Sequence, residues 1–574
     1  MRNQAITRIR IITGIVLLIA GVLLVRLYFL QIEHHEVYAA QANQQYIHTL
    51  QNVFDRGSIF MTTRTGERVS AAAVRNGFVL AINPQRVTDP VMYYYQLEPH
   101  LSIDKETFID RATRPDRTYV EIAARVLRNE ADAIRELQLP GVMLYRNQWR
   151  YYPGESLAAQ TIGFVAHGSD PEEPMRGRYG LERYYENVLG RDNQALVVNL
   201  FAEIFGHISG TPNTVKTPTG KPGHIVTTIE PTVSRMLDNT LADLHEQYNS
   251  TRTGGIIMDP KTGAVRAMSH IPSFNNNDRR GVPIDQFRNP LVENVYEFGS
   301  IMKPLTIAAG IDSDTITPET RYYDSGSITL DQFTIRNFDG RARGDVTMQD
   351  VLNNSLNTGV SHIVDQMGTG LFREYMLNLG FAEPSGIDLP NDAIGLTSNL
   401  DSPRRVEYAT ASFGQGVAVT PMTMIRALAT LGNGGNLITP HVVQNIEYDD
   451  GTVESVMPEV IPNVLQTKTS DMISGMLINT VDEALRGGTV ALANHTVGAK
   501  TGTAQIPNPE TGGYYDDRFL HSFFGYFPAY EPKFIVLLYT IDPKRVQYAS
   551  ESLTDPFMNI ANFLINYYEI PPDR

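Results

Sequence analysis

The apolar positions near the start of the chain form an unbroken run rather than a stripe. "IITGIVLLIAGVLLV" begins at Ile11 and carries no charge, Arg26 interrupts it, and "LYFLQI" resumes the apolar character. A stretch of ~20 residues that is apolar on every helical face suits a bilayer better than a protein core, where one side stays polar. The expectation is a transmembrane anchor over residues 11–32, with Arg26 near enough to its outer end to reach the headgroups. Arg2, Arg8 and Arg10 precede it without an acidic residue, which orients residues 1–10 to the cytoplasm and the rest outside. The rival is a cleaved signal peptide. Its best site, at Ala40 and Ala42, lies ~10 residues beyond the apolar run, farther than such sites stand.

Beyond the anchor the pattern becomes periodic. "HHEVYAAQANQQYIHTLQNV" reads as a polar helix, and "GFVLAINP" and "QALVVNL" as strands. "GRYGLERYYENVLGRD" predicts a turn followed by a helix closed by Gly190. Residues 210–223, "GTPNTVKTPTGKPG", are dense in Thr, Pro and Gly and form the clearest linker. After it, "HIVTTI" predicts a strand, and Val233, Met236, Leu237, Leu241, Leu244 and Tyr248 mark one face of a helix. "TGGIIMDPKTGAVRAMSH" predicts two strands around a Pro-Lys-Thr-Gly turn. "HSFFGYFPAYEPKFIVLLYTI" predicts two more near the end, and "PFMNIANFLINYY" a last helix. Strands and a helix at both ends of this region point to one α+β domain whose termini share a sheet.

Composition narrows the function. Of 574 residues, 42% are hydrophobic and 19% charged, as in a folded protein of two or more domains. The formal net charge of −15 argues against nucleic acid as a partner, which would require a basic face. There is no cysteine, which excludes disulfides, thiolate catalysis and Cys-based zinc sites. No H-e-x-x-H or comparable histidine cluster suggests a metal, and no cofactor is expected.

The chemistry lies in three short segments. In "YEFGSIMKPLTIAAG", Ser300 and Lys303 fall one turn apart on a helix, so the amine can reach the hydroxyl it would activate. Pro304 fits the first turn of that helix, which places Ser300 at its N-terminal end, where a developing oxyanion is favoured. Taken alone, S-x-x-K is equally a surface pair. "NNSLNTG" supplies Ser355 and Asn357, whose spacing requires a turn before both can face one site. "VGAKTGTAQ" supplies Lys500, Thr501, Gly502 and Thr503 on a strand whose glycine allows a substrate backbone to approach. An edge strand there would receive an extended peptide. S-x-x-K, S-x-N and K-T-G in this order form the signature of the penicillin-recognising serine acyl transferases.

From about residue 40 onward the chain resembles class B penicillin-binding proteins, the monofunctional D,D-transpeptidases that cross-link peptidoglycan. "RGSI" (56–59), "GLERYYENVLG" (180–190), "GGIIMDPKTGAVRAM" (254–268), "FGQGVAVTP" (413–421) and "SFFGYFPAYEP" (522–532) follow the family's blocks in order. "YEFGSIMKP" and "FGQGVAVTP" are closer to the division-type (septal) branch than to the elongation-type branch. The resemblance implies an elongated mixed α/β pedestal over residues 33–215 and a transpeptidase domain over 216–574, with a central antiparallel sheet flanked by helices. It implies that Ser300 attacks the penultimate D-Ala carbonyl of a stem peptide, with Lys303 as base. Ser355, Asn357 and Lys500 would relay protons and hold the substrate, and Thr501 and Thr503, beside Gly502, would bind its carboxylate. The N–H groups of Ser300 and Thr503 would form the oxyanion hole. Stem peptides, β-lactams, a membrane-embedded glycan polymerase and other division proteins are the implied partners.

This sequence departs from the family pattern at Phe298 and Met302, where Pro and an aromatic are usual, and at Met61, where Asp is usual. A β-lactamase would share the three motifs, and "EYMLN" (374–378) imitates the class A glutamate segment. That segment reads instead as an amphipathic helix with Phe372, Met376 and Leu379 inward and Gly380 as its stop. An anchored scaffold with a decayed site is the non-enzymatic alternative, disfavoured because every motif residue is present.

Overall fold

The computed structural model describes residues 2–29, 54–168, 175–191 and 220–574. The polar helix expected over 34–53, the strand at 194–200 and residues 210–219 of the linker lie outside these. Helix α1 covers Arg2–Tyr28. Among the described residues no helix is long and apolar enough to cross a membrane. Residues 30–32 of the expected anchor, and the side chains of residues 11, 12, 15 and 24, lie outside the description.

The chain divides into two compact units, one of Met1–Asp55 with Val74–Arg150, the other of Arg56–Ala73 with Tyr151–Arg574. Residues 56–73 and the described residues of 151–191 belong to the second of these units. The reason is a sheet. β1 (Ile59–Thr62) pairs antiparallel with the first residues of β2 (Arg68–Ile82), Ile59 facing Ala72 and Thr62 facing Arg68.

In the smaller unit, the later part of β2 pairs antiparallel with β3 (Val120–Val126), Phe78 facing Val126 and Ile82 facing Val120, and β4 (Val142–Tyr151) also pairs with β2. Two helices cover this sheet, Pro90–Leu97 and Lys105–Ala112, each begun by an aspartate that accepts backbone N–H groups: Asp89 from Val91 and Met92, Asp104 from Thr107. Leu80, Ile82, Leu97, Phe108, Val126 and Ile134 close its core.

In the larger unit, β5 (Gly223–Thr227) runs parallel to β1, with Ile59 beside Ile225. The strand read from "HIVTTI" thus joins β1 rather than the sheet that carries the K-T-G segment. α2 (Pro231–Tyr248) buries Val233, Leu237, Leu241 and Leu244, the expected face. β6 (Arg252–Met258) and β7 (Val265–Ile271) form the expected hairpin. α3 (Lys303–Asp312) and α4 (Asn357–Met367) are the central helices. β8 (Val443–Tyr448) extends the β1–β5 sheet. β9 (Gly498–Pro507), β10 (Tyr514–Phe527) and β11 (Phe534–Ile541) complete a five-stranded antiparallel sheet of order β9-β10-β11-β6-β7. Its first and last strands in sequence meet where β11 pairs with β6, Leu537 facing Ile256. α5 (Thr554–Tyr567) packs on it with α2, burying Phe557, Ile560, Ala561 and Leu564.

Residues 369–378 form a helix with Phe372 and Met376 buried, followed by buried Leu379 and by Gly380 at φ +82°, as the amphipathic reading predicts. "GLERYYENVLG" differs from expectation. It forms two short helices, Gly180–Tyr184 and Glu186–Leu189, broken at Tyr185, and Gly190 ends the second in an extended conformation. At the break the Tyr185 hydroxyl donates to buried Asp388 (3.0 Å), a bond that a straight helix need not have made.

Candidate active site

Ser300 lies in a 3-10 turn, Gly299–Met302, that leads into α3, with Pro304 in the first turn of the helix where its missing N–H is harmless. The turn is wedged between two other backbones. Gly299 has φ +65°, and a Cβ there would stand 2.8 Å from the Thr503 carbonyl oxygen. A Cβ on Gly414 would meet the Gly299 oxygen at 2.3 Å, and one on Gly502 would meet Ser522 Oγ at 2.4 Å and the Phe298 oxygen at 2.6 Å. Hydrogen bonds close the contact: Gly299 N–H donates to the Gly414 carbonyl (3.1 Å) and the Ser522 hydroxyl to the Phe298 carbonyl (2.7 Å). Phe298 and Met302, the departures from the family pattern that flank Ser300, are both buried, Phe298 edge-on to Tyr296 and Tyr539 at ring distances of 6.2 and 6.3 Å.

The two motif lysines converge on one serine. Lys303 Nζ donates to the Ser355 carbonyl (2.5 Å) and to Ser355 Oγ (3.1 Å). Lys500 Nζ donates to the same Oγ (3.2 Å) and to the Thr501 carbonyl (3.1 Å). Ser355 can serve both because it is left-handed, φ +53°, between the helix Met348–Asn353 and α4. That is the turn required by the two-residue spacing of Ser355 and Asn357. Among the described residues no hydrogen bond joins Ser300 to Lys303. In place of the direct pair expected from helical spacing, the Lys303 amine is turned to the Ser355 carbonyl.

Both lysines are almost wholly withdrawn from water. Burial, reinforced by the charge of Lys500, holds Lys303 well below the usual lysine range. Burial brings Lys500 down to about 8. Two amines that shed protons this readily, joined through a hydroxyl, suit proton transfer to and from a nearby nucleophile.

Asn357 opens α4 and donates its amide to the Arg336 carbonyl (2.8 Å). Lys500, Thr501, Gly502 and Thr503 lie on β9, paired with Phe524, Phe523, Ser522 and His521 of β10. β9 is the outer strand of its sheet, the edge position expected for peptide addition. Thr503 Oγ1 accepts the Ala549 N–H (3.1 Å), which leaves its own proton free to donate. His521 sits beneath, between the Ser552 hydroxyl (2.8 Å) and the Gln547 carbonyl (3.1 Å), and burial pushes it down to about 4.

Sequence reading missed Ser522 and Gly414, whose value lies in contacts between segments that are distant in the chain. It also missed Glu297, which accepts the Tyr514 hydroxyl (2.9 Å) and so ties the β9–β10 hairpin to the nucleophile loop. A cleft of about 410 Å³ between the β1–β2 hairpin and the start of α2, lined by Met61, Val69, Tyr152, Leu157 and Arg235, carries none of the motif residues.

Residues 253–562 match the penicillin binding protein transpeptidase domain, and residues 27–222 match the penicillin-binding protein dimerisation domain. The chain is 29% identical over 487 residues to stage V sporulation protein D of Bacillus subtilis, covering 82% of this chain and 73% of that one. It is 26% identical over 579 residues to peptidoglycan D,D-transpeptidase FtsI of Escherichia coli, covering 99% and 92%. Its fold is similar to that of penicillin binding protein 2X from Streptococcus thermophilus, with a TM-score of 0.70 at 20% identity over 90% of this chain and 80% of that one.

Proposed function

The chain belongs to the penicillin-binding protein transpeptidases, as a class B member of the division type, and from that premise we propose how it cross-links peptidoglycan. It is a serine-type D,D-transpeptidase. Ser300 Oγ attacks the penultimate D-Ala carbonyl while its proton passes to the neutral amine of Lys303. The N–H groups of Ser300 and Thr503 hold the oxyanion. Collapse expels the terminal D-Ala, whose amine takes a proton delivered through Lys303, Ser355 and Lys500. The ester then yields to an amine of a neighbouring strand, which returns a proton along the same path and frees Ser300. Thr501, Thr503 and Lys500 hold the substrate carboxylate, Gly502 admits its backbone, and Asn357 orients the amide. A β-lactam enters as the donor does and stays on Ser300.

The observation that carries this reading is the Ser355 hydroxyl held by two buried lysines, at 3.1 and 3.2 Å, behind the turn that bears Ser300. Fluorescent penicillin labels the wild-type chain covalently and fails to label Ser300→Ala; labelling that persists in the variant overturns the assignment.

In the cell the protein acts at the septum, held by residues 11–32 with the catalytic domain outside and with a glycan polymerase and other division proteins as partners. Support comes from the cationic residues before the apolar run and from the exposed Val16, Leu17, Leu18, Val22 and Leu23 of α1. Depletion gives filaments, whereas rounded cells would assign it to elongation. Removing residues 1–32 releases the protein from membranes; continued sedimentation with them would refute the anchor.

A further inference from the structure

The S-x-N segment is fixed from behind by a buried carboxylate. α4 begins after Leu356, whose side chain cannot cap a helix. The cap comes from another segment: Asn337 Oδ1 accepts the Thr358 N–H (3.3 Å), and beside it the Arg336 carbonyl accepts the Asn357 side-chain amide (2.8 Å). Asn337 is itself oriented, because its Nδ2 donates to both oxygens of Asp324 (3.0 Å each) and to the Arg341 carbonyl (3.2 Å). Asp324, fully buried, also accepts the Gly326 N–H (3.0 Å), the Arg343 N–H (2.9 Å) and the Thr358 hydroxyl (2.8 Å). The Tyr322 hydroxyl lies 3.1 Å from Thr358 Oγ1. The Gly326 and Arg343 N–H groups and the Asn337 amide can only donate to Asp324, while the Thr358 hydroxyl shares its one proton between Asp324 and Asn337 Oδ1 (2.9 Å), so a carboxylate suits the site. Burial pushes this carboxyl up, but the donors together hold it below the usual range.

We propose that Asp324 and Asn337 are positioning residues of the acylation centre, holding the first turn of α4 and with it the Ser355 bridge between Lys303 and Lys500. The proposal rests on the reading of Ser300 given above. The bridge has little slack: bonds of 3.1 and 3.2 Å lapse within a few tenths of an ångström. A shift of the turn by ~1 Å breaks both at once, and displacements of that size lower catalytic rates by about 10²-fold.

The test measures pre-covalent affinity and the acylation rate separately, with fluorescent penicillin and the full chain. In Asp324→Asn the acylation rate falls about 10²-fold while the affinity of the initial complex stays at the wild-type value. Thr358→Val loses rate in the same way, and Thr358→Ser, which keeps the hydroxyl, restores it; this pair carries the test if Asp324→Asn does not fold. Leu564→Ala, in α5, serves as the control for a general loss of stability and acylates normally below its melting temperature. Wild-type rates in Asp324→Asn and Thr358→Val overturn the proposal, as does equal slowing in Leu564→Ala. A wild-type chain that is never acylated overturns the Ser300 reading, and this proposal with it.

Discussion

Gly299, Gly414 and Gly502 answer a demand of distance. Each lies where a Cβ would come within 3 Å of a neighbouring segment, and together they let the turn of Ser300, the "FGQG" loop and β9 touch backbone to backbone. Gly502→Ala drives a methyl against Ser522 Oγ and the Phe298 carbonyl, so the turn bearing Ser300 must move. The expected outcome is an acylation rate lower by about 10²-fold with the far-ultraviolet circular dichroism unchanged, measured by stopped-flow labelling. The motif side chains were legible in the sequence because nucleophile chemistry demands particular residue types in a particular order. Gly414 and Ser522 were not, since their signal is tertiary proximity across more than a hundred residues. The Ser300–Lys303 spacing was legible too, but not the pull of the Ser355 carbonyl on Lys303, which depends on a turn 52 residues away.

Among the elements, those with strong periodicity were readable. α2, the β6–β7 hairpin, β10, β11 and α5 all follow their apolar patterns, because their faces meet a continuous core. The break at Tyr185 had no local sign, since its cause is Asp388, far along the chain. The same segment is tied to "RGSI" through Arg56. Arg56 Nε donates to Glu182 Oε2 (2.6 Å), and its Nη2 donates to the Glu182 carbonyl (2.8 Å) and to Glu186 (2.5 Å), with Arg56 and Glu182 both buried. Removing Glu182 leaves buried Arg56 with the half-exposed Glu186 as its remaining carboxylate and removes its buried partner. Glu182→Leu is therefore expected to lose about 3–5 kcal/mol of stability by chemical denaturation, and pairing it with Arg56→Met recovers most of that loss.

At the scale of the molecule, pH acts through buried histidines. His270 and His521 are withdrawn from water, and burial pushes them down to about 3 and about 4. Above pH ~6.5 both are neutral whether the chain is folded or not, and they contribute no pH dependence. As pH falls below that, the unfolded chain binds protons that the folded chain refuses, and stability drops by ~1.4 kcal/mol per unit for each histidine. Asp238, raised by burial to about 6, works in the opposite direction between its unfolded and folded values. The clean measurement is a difference: His270→Leu loses less stability than wild type between pH 7 and pH 5 in urea unfolding. Equal losses would remove His270 from the account. The pairing of β1 with β5 across more than 160 residues had no sign in composition, which marks only the Thr-Pro-Gly stretch near residue 215.

That pairing sets a timetable. At the turn of the β1–β2 hairpin, Arg64 bonds the Tyr567 carbonyl and Glu569, near the far end of the chain. A polypeptide emerging N-terminus first presents one half of this clasp 503 residues before the other. Residues 74–150 draw their core from their own stretch and are free to close early. The turn of Ser300 has no such independence: it leans on residues 414, 502 and 522, all translated after it. The turn of Ser300 thus completes its contacts only once β9 and β10 have been made.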